Sequence, residues 1–178
     1  MKAFSFFMMM AMSTSAFALD LQPAIGAKVC VGRRYLQQEM TPKQKLAKFA
    51  VIVEHFPKDQ NWEIDHVTAK VVGEHSGKLW GNEAGCDYQK DGSLKCQIEC
   101  DGGAFTITPN QSSADFTVMK NYYFPLYKHG SNPDDPKPED VLSLEYKDNE
   151  NRSYRLLEAD TAACTEMWQA YEAVDHGC

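Results

Sequence analysis

The sequence predicts a mainly β fold: an antiparallel barrel or sandwich of about eight strands with a C-terminal helix, stabilised by disulfide bonds. Short runs rich in β-branched and aromatic residues recur between residues 51 and 157, and turn residues separate them. After residue 160 the apolar period changes from that of a strand to that of a helix. The chain has 6 cysteines, and an even count in an exported protein is typical of disulfides.

The first 18 residues have the order of a secretory signal. Lys2 precedes an apolar run over residues 4–12, and small residues then lead to Ala18. The run is shorter than the roughly 20 residues that a bilayer-spanning helix needs. We therefore expect removal of residues 1–18, a periplasmic or secreted location, no membrane span, and a single mature domain over residues 19–178.

The charge balance argues against a nucleic-acid partner. The chain has 18 Lys and Arg against 25 Asp and Glu, which gives a formal net charge of −7. Nucleic-acid binding depends on cations clustered against phosphates, and the cations here are scattered along the chain.

Eight segments have the composition of strands. They are residues 48–56, 62–72, 78–88, 93–100, 104–108, 114–119, 141–147 and 153–158. Thr41 and Pro42 form a helix start signal, so residues 42–48 are predicted as a helical turn before the first strand. Pro125 indicates an edge or irregular strand over residues 122–127.

The long connection over residues 127–140 holds three prolines and four acids. Such a segment does not pair in a sheet, and a solvated excursion is the favoured interpretation. The alternative is a rim loop over a binding mouth, since long ordered loops often carry function.

The C-terminal segment is predicted to form an amphipathic helix. Asp160 or Thr161 supplies its N-cap, and Gly177 is its stop signal. Its apolar positions, at helical spacing, are Cys164, Met167, Trp168, Tyr171 and Val174. We expect this stripe to pack against the sheet.

A hairpin around Gly92 predicts one disulfide. A three-residue loop, with Gly92 in the left-handed conformation, places Cys86 opposite Cys96 on the core face. A two-residue turn would place these cysteines on opposite faces, so we prefer the first register. Cys96 and Cys100 lie about 13 Å apart along one strand and cannot bond each other.

The four other cysteines are open to several pairings. A Cys100–Cys164 bond would join helix to sheet, and a Cys30–Cys178 bond would tie the two ends together. The Cys-x-x-x-Cys spacing lies in a strand pattern rather than a turn, and no Cys-x-x-Cys motif occurs. We therefore expect no zinc site, no redox site and no cofactor.

The segments "CDGG" (100–103) and "NRSYRLLEADTAAC" (151–164) carry a resemblance to other chains. With the upstream cysteines, the sequence resembles uncharacterised exported bacterial proteins that share a C…C-x-x-x-C-D-G-G core and a closing aromatic-Arg-Leu…Cys segment. The resemblance covers about residues 42 to 164. No activity or ligand is known for that group, so the resemblance implies no site residues.

Catalytic motifs are absent from the sequence. Neither Gly-x-Ser-x-Gly nor His-Glu-x-x-His occurs, and oxidised cysteines are not nucleophiles. The alternative hypothesis of a hydrolase needs Asp101, His55 or His66 to converge in a pocket. The sequence leans towards a non-enzymatic protein.

The leading expectation is an exported, disulfide-stapled binding module. Its partner would be a small apolar ligand inside the barrel or an envelope protein met by the long loop. A further alternative is an envelope-assembly or inhibitor protein with a flat aromatic patch. The candidate ligand-binding residues are Trp62, Tyr122, Tyr123, Phe124 and Tyr127.

Overall fold

The computed structural model describes residues 19–36, 46–58, 63–98, 103–145 and 153–173, which form ten strands and one α-helix. The strands are β1 (Lys28–Arg34), β2 (Lys48–Phe56), β3 (His66–His75), β4 (Lys78–Tyr88), β5 (Leu94–Gln97), β6 (Ala104–Asn110), β7 (Ser113–Val118), β8 (Tyr123–Lys128), β9 (Val141–Glu145) and β10 (Ser153–Glu158). The helix is α1 (Thr161–Glu172).

Eight of these strands close into an antiparallel barrel. β1 through β7 pair consecutively as a meander. β10 then pairs with both β7 and β1, which closes the ring. The predicted fold class is confirmed, and the architecture is a barrel rather than a sandwich.

The hairpin β8–β9 lies outside the meander order and attaches to β4. Trp80 and Gly81 of β4 pair with β8, whereas residues 85–88 of the same strand pair with β5. Phe124 and Leu126 of β8 are fully buried in the main core. The strand predicted around Pro125 therefore exists, and it contributes side chains to the core.

The N-terminal segment crosses the opposite end of the barrel. Leu19 and Leu21 are buried in the main core, and the Leu19 amide donates to the carbonyl of Gln111. The Gly26 amide donates to the carbonyl of His55 at 2.7 Å. Residues 19–27 are thus hydrogen-bonded to the C-terminal end of β2 and to the turn between β6 and β7.

Side chains fill the barrel interior. The ring of Phe105 lies 4.5 Å from that of Phe116 and 4.6 Å from that of Phe124, measured between centroids. Phe49 approaches Phe116 at 4.9 Å, and all four rings are buried. An eight-stranded barrel has an interior just wide enough for such packing.

The helix α1 packs on the outside of the barrel. Asp160 is the N-cap, as predicted, and its Oδ1 accepts the Ala162 amide at 3.0 Å. Cys164 and Trp168 face a small outer cluster that includes Ile52 and Val72. The predicted helix is confirmed from its start, and residues 174–178 with its stop signal lie outside the described residues.

The hairpin disulfide is present in the predicted register. Cys86 faces Cys96 across β4 and β5, the two are bonded, and Gly92 has a φ of 82°. Tyr88 faces Leu94 in the same register.

The predicted pairings Cys100–Cys164 and Cys30–Cys178 are wrong. Cys30 bonds Cys164 instead, with 6.4 Å between their Cα atoms. Cys30 points outward from β1, and the Ala159 amide donates to its carbonyl, so the start of α1 lies directly over it. Cys100 and Cys178 fall outside the described residues.

Other differences from the predicted elements are local. β1 was not predicted from the sequence. Its inward Val31 and its outward Cys30 are both buried, so the strand lacks the alternation of apolar and polar residues that marks a half-buried strand. The predicted helical turn lies mostly outside the described residues, and Lys48 begins β2. The predicted 93–100 strand ends at Gln97.

Candidate functional site

The predicted aromatic residues do not form one surface. Trp62 lies outside the described residues. Tyr122 and Tyr123 are 51% and 44% exposed, whereas Phe124 is 0% exposed and packs in the core. Tyr127 is half-buried, and burial raises its pKa. Phe124 is thus a core residue rather than part of an exposed binding surface.

The two candidate catalytic histidines point to opposite faces of the sheet. His55 points inward and contacts the Tyr88 ring at 6.0 Å, and its Nδ1 donates to the Pro23 carbonyl at 3.1 Å. His66 stacks on Phe56 at 5.1 Å on the outer side. Both histidines nevertheless line one groove, along β3, β4 and β5, and Asp101 is not among the described residues.

Metal-ligating side chains do not cluster in the described part of the chain, where no group of three or more His, Cys, Asp or Glu residues is placed to hold an ion. The described residues therefore place no metal centre, and the hydrolase hypothesis stays a prediction, because Asp101 lies outside them.

The long loop after β8 is fastened to the end of the helix. His129 Nδ1 donates to the Tyr171 carbonyl at 2.6 Å, and the Tyr171 hydroxyl donates to the Gly81 carbonyl at 2.9 Å. Burial raises the pKa of Tyr171 to about 12, with Tyr127 and Glu172 adding to the shift. Residues 132–139 are exposed, which agrees with a solvated excursion.

A row of mostly small residues crosses the outer face of the barrel. Strand register aligns it across β10, β1, β2, β3 and β4. The row is Leu157, Gly32, Ala50, Val72 and Gly81.

α1 covers the far end of this row. A Cβ at Gly81 would lie 2.8 Å from the ring of Tyr171, so glycine is what admits the helix there. Val72 belongs to the outer cluster beneath Trp168.

Beside the helix the same row forms the floor of an open groove, here called the helix groove. Its floor is Gly32 and Ala50, and its wall is the side of α1 that presents Ala163, Met167 and Ala170. Its volume is ≈ 690 Å³. The groove is mainly apolar, and Leu157, paired with Gly32 and 50% exposed, extends the apolar surface beyond it.

Charged residues lie at one end of the helix groove. Arg34 faces Lys48, and Lys48 faces Glu74, with which it forms an ion pair. Arg34 is exposed, and within the described ranges it makes no ion pair. Glu166 is exposed on the helix side. Among the described residues, Arg34 therefore offers a cation that no carboxylate binds.

A second groove, of ≈ 790 Å³, lies along β3, β4 and β5 and is more polar. Asp65, Glu83 and Asp87 line it beside Phe56 and exposed Ile64. Desolvation raises the pKa of Glu83, and the nearby charge of Lys70 opposes the rise. Its carboxylates distinguish this groove from the helix groove, which Arg33, Arg34 and Lys48 line.

Comparisons of the chain with protein-family models, with curated proteins and with solved structures give no match. Among the described residues, no helix has the length and apolar character needed to cross a bilayer. The disulfides indicate a non-cytoplasmic location, because thiols stay reduced in the cytosol. The helix groove and its chemistry are therefore the basis for a functional interpretation.

Proposed function

We propose that the chain is an exported, disulfide-stapled binding module that takes a small apolar ligand in the helix groove, on the outside of its barrel. Periplasmic or secreted localisation fits the signal-like N-terminus and the two disulfides. No catalytic step is part of the proposal.

The observation that carries the proposal is where the apolar space lies. Core side chains pack inside the barrel, and the helix groove lies on the outer face beside α1. The Phe105, Phe116 and Phe124 rings pack against one another inside the barrel, and we therefore place the ligand on its outer face. Gly32 and Ala50 leave space on the outer face, where larger side chains would fill it. Concave apolar clefts of about 300 to 1,000 Å³ are the usual form of small-ligand sites.

The Cys30–Cys164 bond supports the same proposal. It joins the start of α1 to β1 immediately beside the groove, and Cys164 is one of the lining residues. A wall held covalently to its floor loses little conformational entropy on binding, so the site is preorganised.

A pair of alanine variants tests the proposal. Ala163 and Ala162 are both exposed on α1, but only Ala163 lines the groove. Ala163→Phe should fill the groove and weaken binding of the neutral fluorescent probe N-phenyl-1-naphthylamine by about tenfold, which is about 1.4 kcal/mol. Ala162→Phe should bind the probe like the wild type.

Two results would contradict the proposal. One is the absence of probe binding to the wild-type protein, together with no co-purifying small molecule in native mass spectrometry of the exported protein. The other is equal probe affinity in both variants, which would place the binding elsewhere on the molecule.

A further inference from the structure

We infer that the ligand of the helix groove is a single-chain fatty-acid-like amphiphile, whose carboxylate binds Arg34 while its alkyl chain lies on Gly32 and Ala50. This inference rests on the proposed function and specifies the chemical class of its ligand.

The shape of the groove fits one extended chain. The helix residues from Ala163 to Ala170 span about 10 Å along the axis of α1. The floor beneath them is a single row of small side chains, Gly32 and Ala50, bounded by Met167 on the helix. An open apolar groove of this length accommodates an extended alkyl chain.

The position of Arg34 fits an anionic head group. It is the next outward residue after Gly32 on β1, about 7 Å further along the strand. Its guanidinium presents a planar fork of donors that matches a carboxylate in a bidentate arrangement. Lys48 is already paired with Glu74, so Arg34 is the cation at this end that lacks a carboxylate within the described residues.

The distribution of charge favours an anionic ligand over a cationic or neutral one at Arg34. The chain has a formal net charge of −7, whereas Arg33, Arg34 and Lys48 outnumber the carboxylates among the residues that line this groove. A cationic amphiphile would face Arg34 at the head-group end and would have only Glu166 as a partner on the helix. A neutral amphiphile would leave the Arg34 donors without a ligand partner.

The test compares three probes of equal chain length: decanoate, decanol and decyltrimethylammonium, each displacing N-phenyl-1-naphthylamine below its micelle concentration. Decanoate should bind the wild-type protein about threefold more tightly than decanol, because an ion pair with an exposed arginine contributes less than about 1 kcal/mol. Arg34→Gln should remove this preference and leave decanol affinity unchanged. Raising the salt concentration should weaken decanoate alone, because Arg34 is exposed.

A remote control variant and a second charge variant, in the groove lining, complete the test. Lys95→Gln removes an exposed cation from β5, remote from the helix groove, and should change none of the affinities. Glu166→Gln should leave decanoate binding equal or tighter, because it removes a like charge.

The outcomes separate the inference from the proposed function. Equal binding of decanoate and decanol, with no effect of Arg34→Gln, would overturn the anionic ligand and keep the apolar groove. Preference for decyltrimethylammonium, weakened by Glu166→Gln, would overturn it in favour of a cationic ligand. Failure of all three probes and of the reporter to bind would overturn the proposed function itself.

Discussion

At the residue scale, Glu54 joins three strands on the outer face of the barrel. Its carboxylate accepts from Lys28 Nζ at 2.8 Å and forms an ion pair with Lys70 Nζ at 2.9 Å. Lys70 also lies 5.7 Å from the centre of the Trp168 ring. Burial alone would raise the pKa of Glu54, but the hydrogen bonds from the two lysines outweigh it and hold the pKa below its ordinary range.

Glu54→Gln should lower the free energy of unfolding at pH 7 by about 1 to 3 kcal/mol, because the half-buried Lys70 and the exposed Lys28 lose a buried carboxylate partner. The folded-state pKa is depressed, so the contribution is present above the unfolded-state pKa and is lost as the pH falls through the folded-state pKa. Urea unfolding from pH 7 to pH 3 should therefore show a smaller pH dependence in the variant. Asp115→Asn, which breaks the exposed pair with Arg155, is the control and should cost less than about 1 kcal/mol. Equal losses in the two variants would contradict this role for Glu54.

Single glycines also show which structural roles could be predicted from the sequence and which could not. Gly92 was predictable, because a glycine after Asp in a short turn between two alternating strands specifies the left-handed position and hence the register of Cys86 and Cys96. Gly81 was not, since its role depends on the ring of Tyr171, 90 residues away in sequence. Gly32 was not either, since it becomes part of a groove floor only where α1 docks beside it. A glycine within a strand is a weak signal of close approach, and it does not name the partner.

At the element scale, α1 is the part of the molecule whose position creates the candidate site. The sequence predicted its start and its apolar stripe, because capping and spacing are local properties. Those local properties do not predict which strands the helix packs against. β1 escaped prediction for the same reason: the helix buries its outer face at Cys30, so the strand lacks a polar side. The helix groove was missed because residues 32, 50 and 163 meet only through strand register and helix docking.

The Cys30–Cys164 bond should stabilise the molecule more than the Cys86–Cys96 bond. The sequence separations are 134 and 10 residues, which in the chain-entropy account correspond to about 5 and about 3 kcal/mol. Paired serine variants, C30S with C164S and C86S with C96S, should therefore differ in unfolding free energy, with the first pair less stable.

Peptide mapping without reductant provides the accompanying check on connectivity. Recovery of Cys164 linked to Cys100 would contradict the docking of α1 on β1. A smaller loss of stability in the first serine pair than in the second would contradict the ranking of the two bonds.

At the scale of the whole molecule, the chain forms a closed barrel whose core side chains fill the interior, and the proposed binding site lies on the exterior. The N-terminal segment and the β8–β9 hairpin contribute Leu21, Phe124 and Leu144 to the same core that the meander strands build. The composition predicted such a barrel, but composition does not distinguish a hollow interior from a filled one. That difference follows from how the four phenylalanines interdigitate, which depends on strand register and shear.

The most direct test of this account is an NMR map of backbone and methyl chemical shifts during titration with decanoate. We expect the largest shifts at Gly32, Ala50, Ala163 and Met167, which line the helix groove, with little change at Phe105, Phe116 and Phe124. The largest shifts among those three phenylalanines would place the ligand inside the barrel and contradict the account.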